Sequence, residues 1–147
     1  MLNVNQVYIE RSIMLSLKNA MRANATSCLA FGALFALRPS MVVNFLGGES
    51  PAPESYILVL GVLLIMNGLH LLWASRLPLP KKELILYFSI GDYIWVIGSG
   101  ALIISEVWIT TTAGVVLTCA VAAMVGFFGV LQMAKRKAMG TARNNCV

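Results

Sequence analysis

The chain of 147 residues is 59% hydrophobic and 12% charged, with a mean hydropathy of +0.80 and a formal net charge of +5. A soluble domain averages roughly 45–50% apolar residues, and one of this length has no way to bury so large an excess. Low charge excludes disorder, dense apolar runs exclude a coiled-coil seam and three cysteines make no disulfide framework, which leaves an integral membrane protein.

Crossing a hydrocarbon core of about 30 Å takes about 20 helical residues. The first 18 residues mix Val7, Ile13, Met14 and Leu17 with polar and charged side chains, and are expected to form a short interfacial helix at the cytoplasmic surface. They lack the apolar core of a cleavable leader, so the span that follows is expected to stay attached as a signal anchor. Four spans are predicted, at 20–37, 55–75, 84–104 and 111–134. Arg38-Pro39 closes the first, Pro51 and Pro53 precede the second, Pro78 and Pro80 follow it, and Lys135-Arg136-Lys137 closes the fourth. Between spans one and two, residues 41–46 read as a short turn of helix and Gly47-Gly48 as a flexible turn, placed over the outer mouth of the bundle. Runs such as 57–66 do not alternate between polar and apolar residues, which excludes a β-barrel. The expected fold is all-α: one transmembrane domain over 1–147, an antiparallel four-helix bundle.

Orientation follows from the basic residues. Arg11, Lys18, Arg22, Arg76, Lys81, Lys82, Lys135, Arg136, Lys137 and Arg143 fall on one side, whereas the other carries Arg38 with Glu49, Glu54 and Glu106. The positive-inside bias then places both termini and the middle loop in the cytoplasm, in an inner (plasma) membrane. Positive charge beside span ends points to anionic lipid head groups as partners and away from nucleic acid.

An ionisable residue at a span centre costs about 2.5–3.5 kcal/mol on insertion scales and is a functional candidate by default. Asp92 is that residue here. Counting along the spans puts Asn67 at the same depth, His70 one turn nearer the cytoplasm, Arg22 and Asn24 close by and Gln132 near the inner end of span four. A single buried network of Asp92, Asn67, His70, Asn24 and Arg22 is expected, beneath an outer half filled as a dry plug of Leu, Val, Ile and Ala. Such a network serves either as a cytoplasm-facing pocket for a proton, cation or ligand, or as interhelical glue in which Asp92 pairs with Arg22 or His70. Asp92, Trp95 and Ser99 share one face at i, i+3 and i+7. Gly91 and Gly98 form a neighbouring stripe suited to close helix packing, as do Ala122, Gly126 and Gly129 with Thr118 on span four. Cys28, Cys119 and Cys146 are expected as free thiols, the first two being small buried hydrophobes.

The Gly91-Asp92-x-x-Trp95-Val96-x-x-Ser99 third span, with Gly61, Asn67 and Gly68 in span two, Thr111 and Gly114 at the start of span four and Phe128 with Gln132 near its end, resembles small four-span bacterial inner-membrane proteins of uncharacterised type. It is loosely similar to the wider set of DoxX-like proteins. The resemblance implies a fold and carries over no catalytic residue.

One histidine cannot supply two axial haem ligands, no Cys/His cluster has metal-site spacing, and neither a P-loop nor a dinucleotide fingerprint is present. No catalytic residue, metal or cofactor is therefore expected, and the chain reads as a non-enzyme. The sequence points to a small accessory or structural subunit acting in a homo-oligomer or a larger membrane complex. The alternative is a small transporter or ligand-binding protein using the Asp92, Asn67 and His70 cluster, and the DoxX-like resemblance adds a third, a quinone- or lipid-handling membrane enzyme.

Overall fold

The structure is a computed structural model that describes residues 4–78 and 81–144; the expectation for Cys146 lies outside them, as does that for the Arg143 side chain. Among the described residues there are five helices and no strand: α1 (Val4–Leu37), α2 (Pro39–Gly47), α3 (Glu54–Arg76), α4 (Lys82–Ile104) and α5 (Thr112–Asn144). The four long ones have the length and apolar composition to cross a membrane.

The expected separate interfacial helix at the N-terminus is not formed. Residues 4–31 contain neither Gly nor Pro, so nothing interrupts the hydrogen-bond ladder, and α1 runs as one rod of 34 residues, about 51 Å. It ends where expected. Pro39 supplies no N–H and disfavours helical geometry at Arg38, whose φ of −137° turns the chain before Pro39 opens α2. The fourth span likewise continues beyond residue 134, as the single 33-residue helix α5.

Glycines set how closely the helices approach. A Cβ on Gly61 would lie 2.7 Å from the Ala36 backbone nitrogen and 2.9 Å from the Gly32 carbonyl oxygen, and one on Gly68 would lie 3.0 Å from the Ala25 oxygen. The backbones of α1 and α3 are therefore in contact, with numbers rising along one as they fall along the other. α5 packs on both α1 and α4, whereas α4 meets α1 and α3 chiefly through side chains.

Two apolar clusters result. Near the end where α1 begins and α3 finishes, Leu17, Met21, Ala25 and Cys28 of α1 pack with Leu71 and Ala74 of α3 and with Ile85 and Phe88 of α4. At the opposite end Val42 and Val43 of α2 pack with Ala52, Ile57, Phe35 and Trp108. This second cluster is a cap, clipped to the α4–α5 turn by hydrogen bonds. The Thr110 and Thr111 amides both donate to the Leu46 carbonyl at 2.9 and 3.1 Å, the Thr110 hydroxyl donates to the Gly47 carbonyl at 2.7 Å, and the Thr111 hydroxyl donates to the Phe45 carbonyl at 2.6 Å. These are last-turn carbonyls of α2, which have no partner within the helix. Thr111 also accepts from the Gly114 amide at 3.0 Å, capping the start of α5. The turn is strained where Glu106 and Trp108 take positive φ values of 53° and 64°.

Candidate functional site

Between the two clusters, side chains of all four long helices meet in a chain of hydrogen bonds. Asn67 of α3 donates its amide to the Cys28 sulfur at 3.6 Å, and the Cys28 thiol donates to Asn24 Oδ1 at 3.8 Å, both on α1. Asn24 Nδ2 donates to both Asp92 carboxylate oxygens at 3.0 Å, and Gln132 Nε2 of α5 reaches Asp92 Oδ2 at 3.2 Å. Asn24 and Gln132 are 0% exposed and Asp92 is 5% exposed. Every donor points toward the carboxylate, the arrangement in which successive bonds polarise one another. The two sulfur contacts are its weak links.

Local sequence explains the convergence. Asn24 and Cys28 lie at i and i+4, one above the other on α1. On α5, Gly129 clears the space: a Cβ there would sit 3.2 Å from Asp92 Cβ, and one on Gly126 would sit 3.3 Å from Val96 Cγ2. Without side chains at these two points α5 closes on α4, and Gln132, one turn beyond Gly129, reaches the carboxylate. Ala122 is half-buried on the same stripe. Gly91 and Gly98 behave differently, and close packing there is not found: a Cβ at either would meet nothing within 4 Å. Both are exposed and lie on the open side of a cavity, where no backbone approaches.

Two residues expected in the network stand outside it. Arg22 is exposed, and its carbonyl accepts from the Thr26 hydroxyl at 2.9 Å. His70 is exposed too, among the rings of Trp73, Tyr87 and Phe88 at centroid distances of 5.7, 5.9 and 5.0 Å. The buried stripe of α3 runs through Ile57, Gly61, Gly68, Leu71 and Ser75, and His70 lies one residue, about 100°, off it. Asp92 is thus held by two amides in place of the expected cation. The residue that sequence reasoning passed over is Cys28, whose i+4 spacing from Asn24 was the available signal. Three buried polar atoms near the network have no hydrogen-bond partner: Ser89 Oγ, Gln132 Oε1 and Trp95 Nε1. Among the described residues no group of three His, Cys, Asp or Glu could hold a metal ion.

Above the network the expected dry plug is replaced by a cavity of about 860 Å³. Phe35 of α1, Ile57 of α3, Trp95 and Gly98 of α4, Thr118 of α5 and Trp108 of the cap line its sides. None of its lining residues is charged, and Ser99, Ser105 and Thr118 are its hydroxyl groups. The void exists because α4 lacks side-chain bulk at Gly91 and Gly98 and does not pack backbone to backbone against α1 or α3. Much of its lining is exposed, from Leu34 and Met41 across Gly91, Ile94 and Gly98 of α4 to Leu117 of α5, so the hollow lies open to the surface along its α4 side. The molecule is therefore dense at one end, tied by polar bonds at mid-depth, hollow beyond that and capped. In comparisons by sequence and by fold, the chain matches no family model, no curated relative and no solved structure.

Proposed function

We propose that this small multi-pass membrane protein is a ligand-binding protein that takes up an apolar molecule, or the apolar part of one, in the cavity between α1, α3, α4 and α5. The cavity carries this reading. Its volume of about 860 Å³ lies within the range of about 300–1,000 Å³ typical of small-molecule pockets, and an apolar wall with a few hydroxyls matches their usual chemistry. The Asp92 network serves as the floor that holds the helices in register, so the polar cluster frames the site and the cavity receives the ligand. The spans form an antiparallel bundle in the inner membrane, with both termini and every basic residue but Arg38 cytoplasmic, where Lys81, Lys82, Lys135 and Arg136 meet anionic head groups. The resemblance to small four-span bacterial proteins supports this arrangement.

The test is titration of the purified protein, in neutral detergent, with an uncharged environment-sensitive naphthylamine dye. Saturable binding at one dye per chain is expected, abolished by Gly98→Phe, at a lining position where an added Cβ meets nothing within 4 Å. Binding that survives Gly98→Phe undamaged refutes the site.

A separate observation favours the subunit reading. Ala113, Val116, Ala120, Ala123, Phe127, Val130 and Ala134 on α5 are all exposed and repeat every seven residues, a seam narrow enough for another helix to approach closely. With Cys119 changed to Ser, Ala120→Cys is expected to cross-link between copies in native membranes if the protein self-associates through this face.

A further inference from the structure

The shape of the cavity narrows the class of its occupant. Along α4 its lining includes a stripe of Gly91, Ile94, Gly98, Ala101, Leu102 and Ser105 at i+3, i+4 and i+7 spacing, flanked by Trp95 and Ser99. From Gly91 to Ser105 that stripe covers 14 residues, about 21 Å of helix. Ser105 lies just beyond the end of α4, at the capped end, and Gly91 lies two residues from the helix midpoint. The groove therefore runs from one membrane boundary to just past the middle of the bilayer, the depth of one leaflet at about 15 Å plus a little more. It stops where Asn24 and Gln132 close over Asp92. A hollow of that length, apolar but for the hydroxyls of Ser99, Ser105 and Thr118 and open along its α4 side, has the form of a groove for one extended hydrocarbon chain.

We infer that the groove holds a single long acyl chain of a bilayer phospholipid from the leaflet at the capped end, its head group remaining at the surface beside α2. The uncharged lining agrees, since every charged part of such a lipid stays outside. Gly91 and Gly98, both exposed on the α4 wall of the groove, then act as length and width determinants, Gly91 at its inner end and Gly98 half-way along. The inference rests on the cavity being the binding site proposed above.

The experiment is native mass spectrometry of the detergent-purified protein, reloaded from mixed micelles with phospholipids that share a head group and differ in chain length. The wild-type chain is expected to retain about one long-chain phospholipid. Gly91→Leu adds bulk only at the inner end, so it should retain short-chain lipid while losing long-chain lipid about tenfold, or about 1.4 kcal/mol. Gly98→Leu should lose both. Both variants place a Cβ where nothing lies within 4 Å and raise helix propensity, and circular dichroism checks that they fold. Should either fail to fold, competition between long and short chains on the wild-type protein decides instead, equal retention overturning the inference. Dye binding that responds to Gly98→Phe, combined with long-chain retention unchanged in Gly91→Leu, overturns the chain inference and leaves the binding site standing. Indifference of dye and lipid alike to every substitution overturns both. A free fatty acid retained in place of phospholipid overturns the bilayer lipid as the source of the chain.

Discussion

Replacing Asn24 with Ala tests whether the mid-depth network holds the helices together. Asn24→Ala removes both donations to Asp92 at 3.0 Å and the acceptor for Cys28 at 3.8 Å. Interhelical hydrogen bonds inside membranes average about 0.6 kcal/mol, so the two that cross from α1 to α4 come to about 1 kcal/mol, the Cys28 contact lying within α1. Gln132 still donates to the carboxylate at 3.2 Å and limits the loss. Asp92→Ala strips the acceptor from two buried amides and is expected to cost about 2–3 kcal/mol. The two Asn24–Asp92 bonds are counted in both single variants, so the double variant should be less destabilised than their sum by about 1 kcal/mol. The assay is unfolding of the purified protein by titration of SDS into neutral micelles, followed by circular dichroism. Losses that add to within about 0.3 kcal/mol would refute the coupling, and with it the network as a tie between α1 and α4. Arg22→Ala provides the contrast: its exposed side chain predicts a change within about 0.5 kcal/mol, whereas an Arg22–Asp92 ion pair predicts a large one.

Gly61→Ala drives a Cβ to 2.7 Å from backbone of α1, which cannot swing aside, and should destabilise the protein by about 1–3 kcal/mol; Gly98→Ala, facing open space, should stabilise it by up to about 1 kcal/mol in the same unfolding assay. Cys28 is buried as expected, but Cys119, expected to be buried too, is exposed on α5, so a membrane-soluble maleimide is expected to label Cys119 in the folded protein and Cys28 only after unfolding, as read by peptide mass mapping. Thr110→Val removes the 2.7 Å donation to Gly47 and weakens the cap by about 1 kcal/mol, which hydrogen exchange should report as faster opening of α2 amides with the core of α3 unchanged.

The helices were legible because length and apolarity alone identify a span, and the ends of α3 and α4 fall within two residues of those expected. Direction around each helix was much less so. A span that is apolar on every side does not announce which face turns inward, and depth was the one coordinate the sequence offered. Depth correctly grouped Asn24, Asn67, Asp92 and Gln132, but it grouped Arg22 and His70 with them although both point outward. The glycines show the same limit. Gly61, Gly68, Gly91 and Gly98 look alike in sequence, yet the first two receive another backbone and the last two border a void, a difference that depends on where α1 and α3 lie relative to α4. The cavity had no sequence signature, because it is made by what α4 fails to touch.

The donors that hold Asp92 are divided by chain order, and this bears on how a carboxylate enters a membrane at all. Asn24 and Cys28 belong to the first helix to be synthesised and Asn67 to the next long one, so by the time α4 leaves the ribosome a side chain able to satisfy Asp92 already waits in the bilayer. Gln132 arrives only with α5. The insertion penalty of about 2.5–3.5 kcal/mol for an aspartate at mid-span is thereby met in two instalments, the first from a partner in place before the need arises and the second from one that locks the finished assembly.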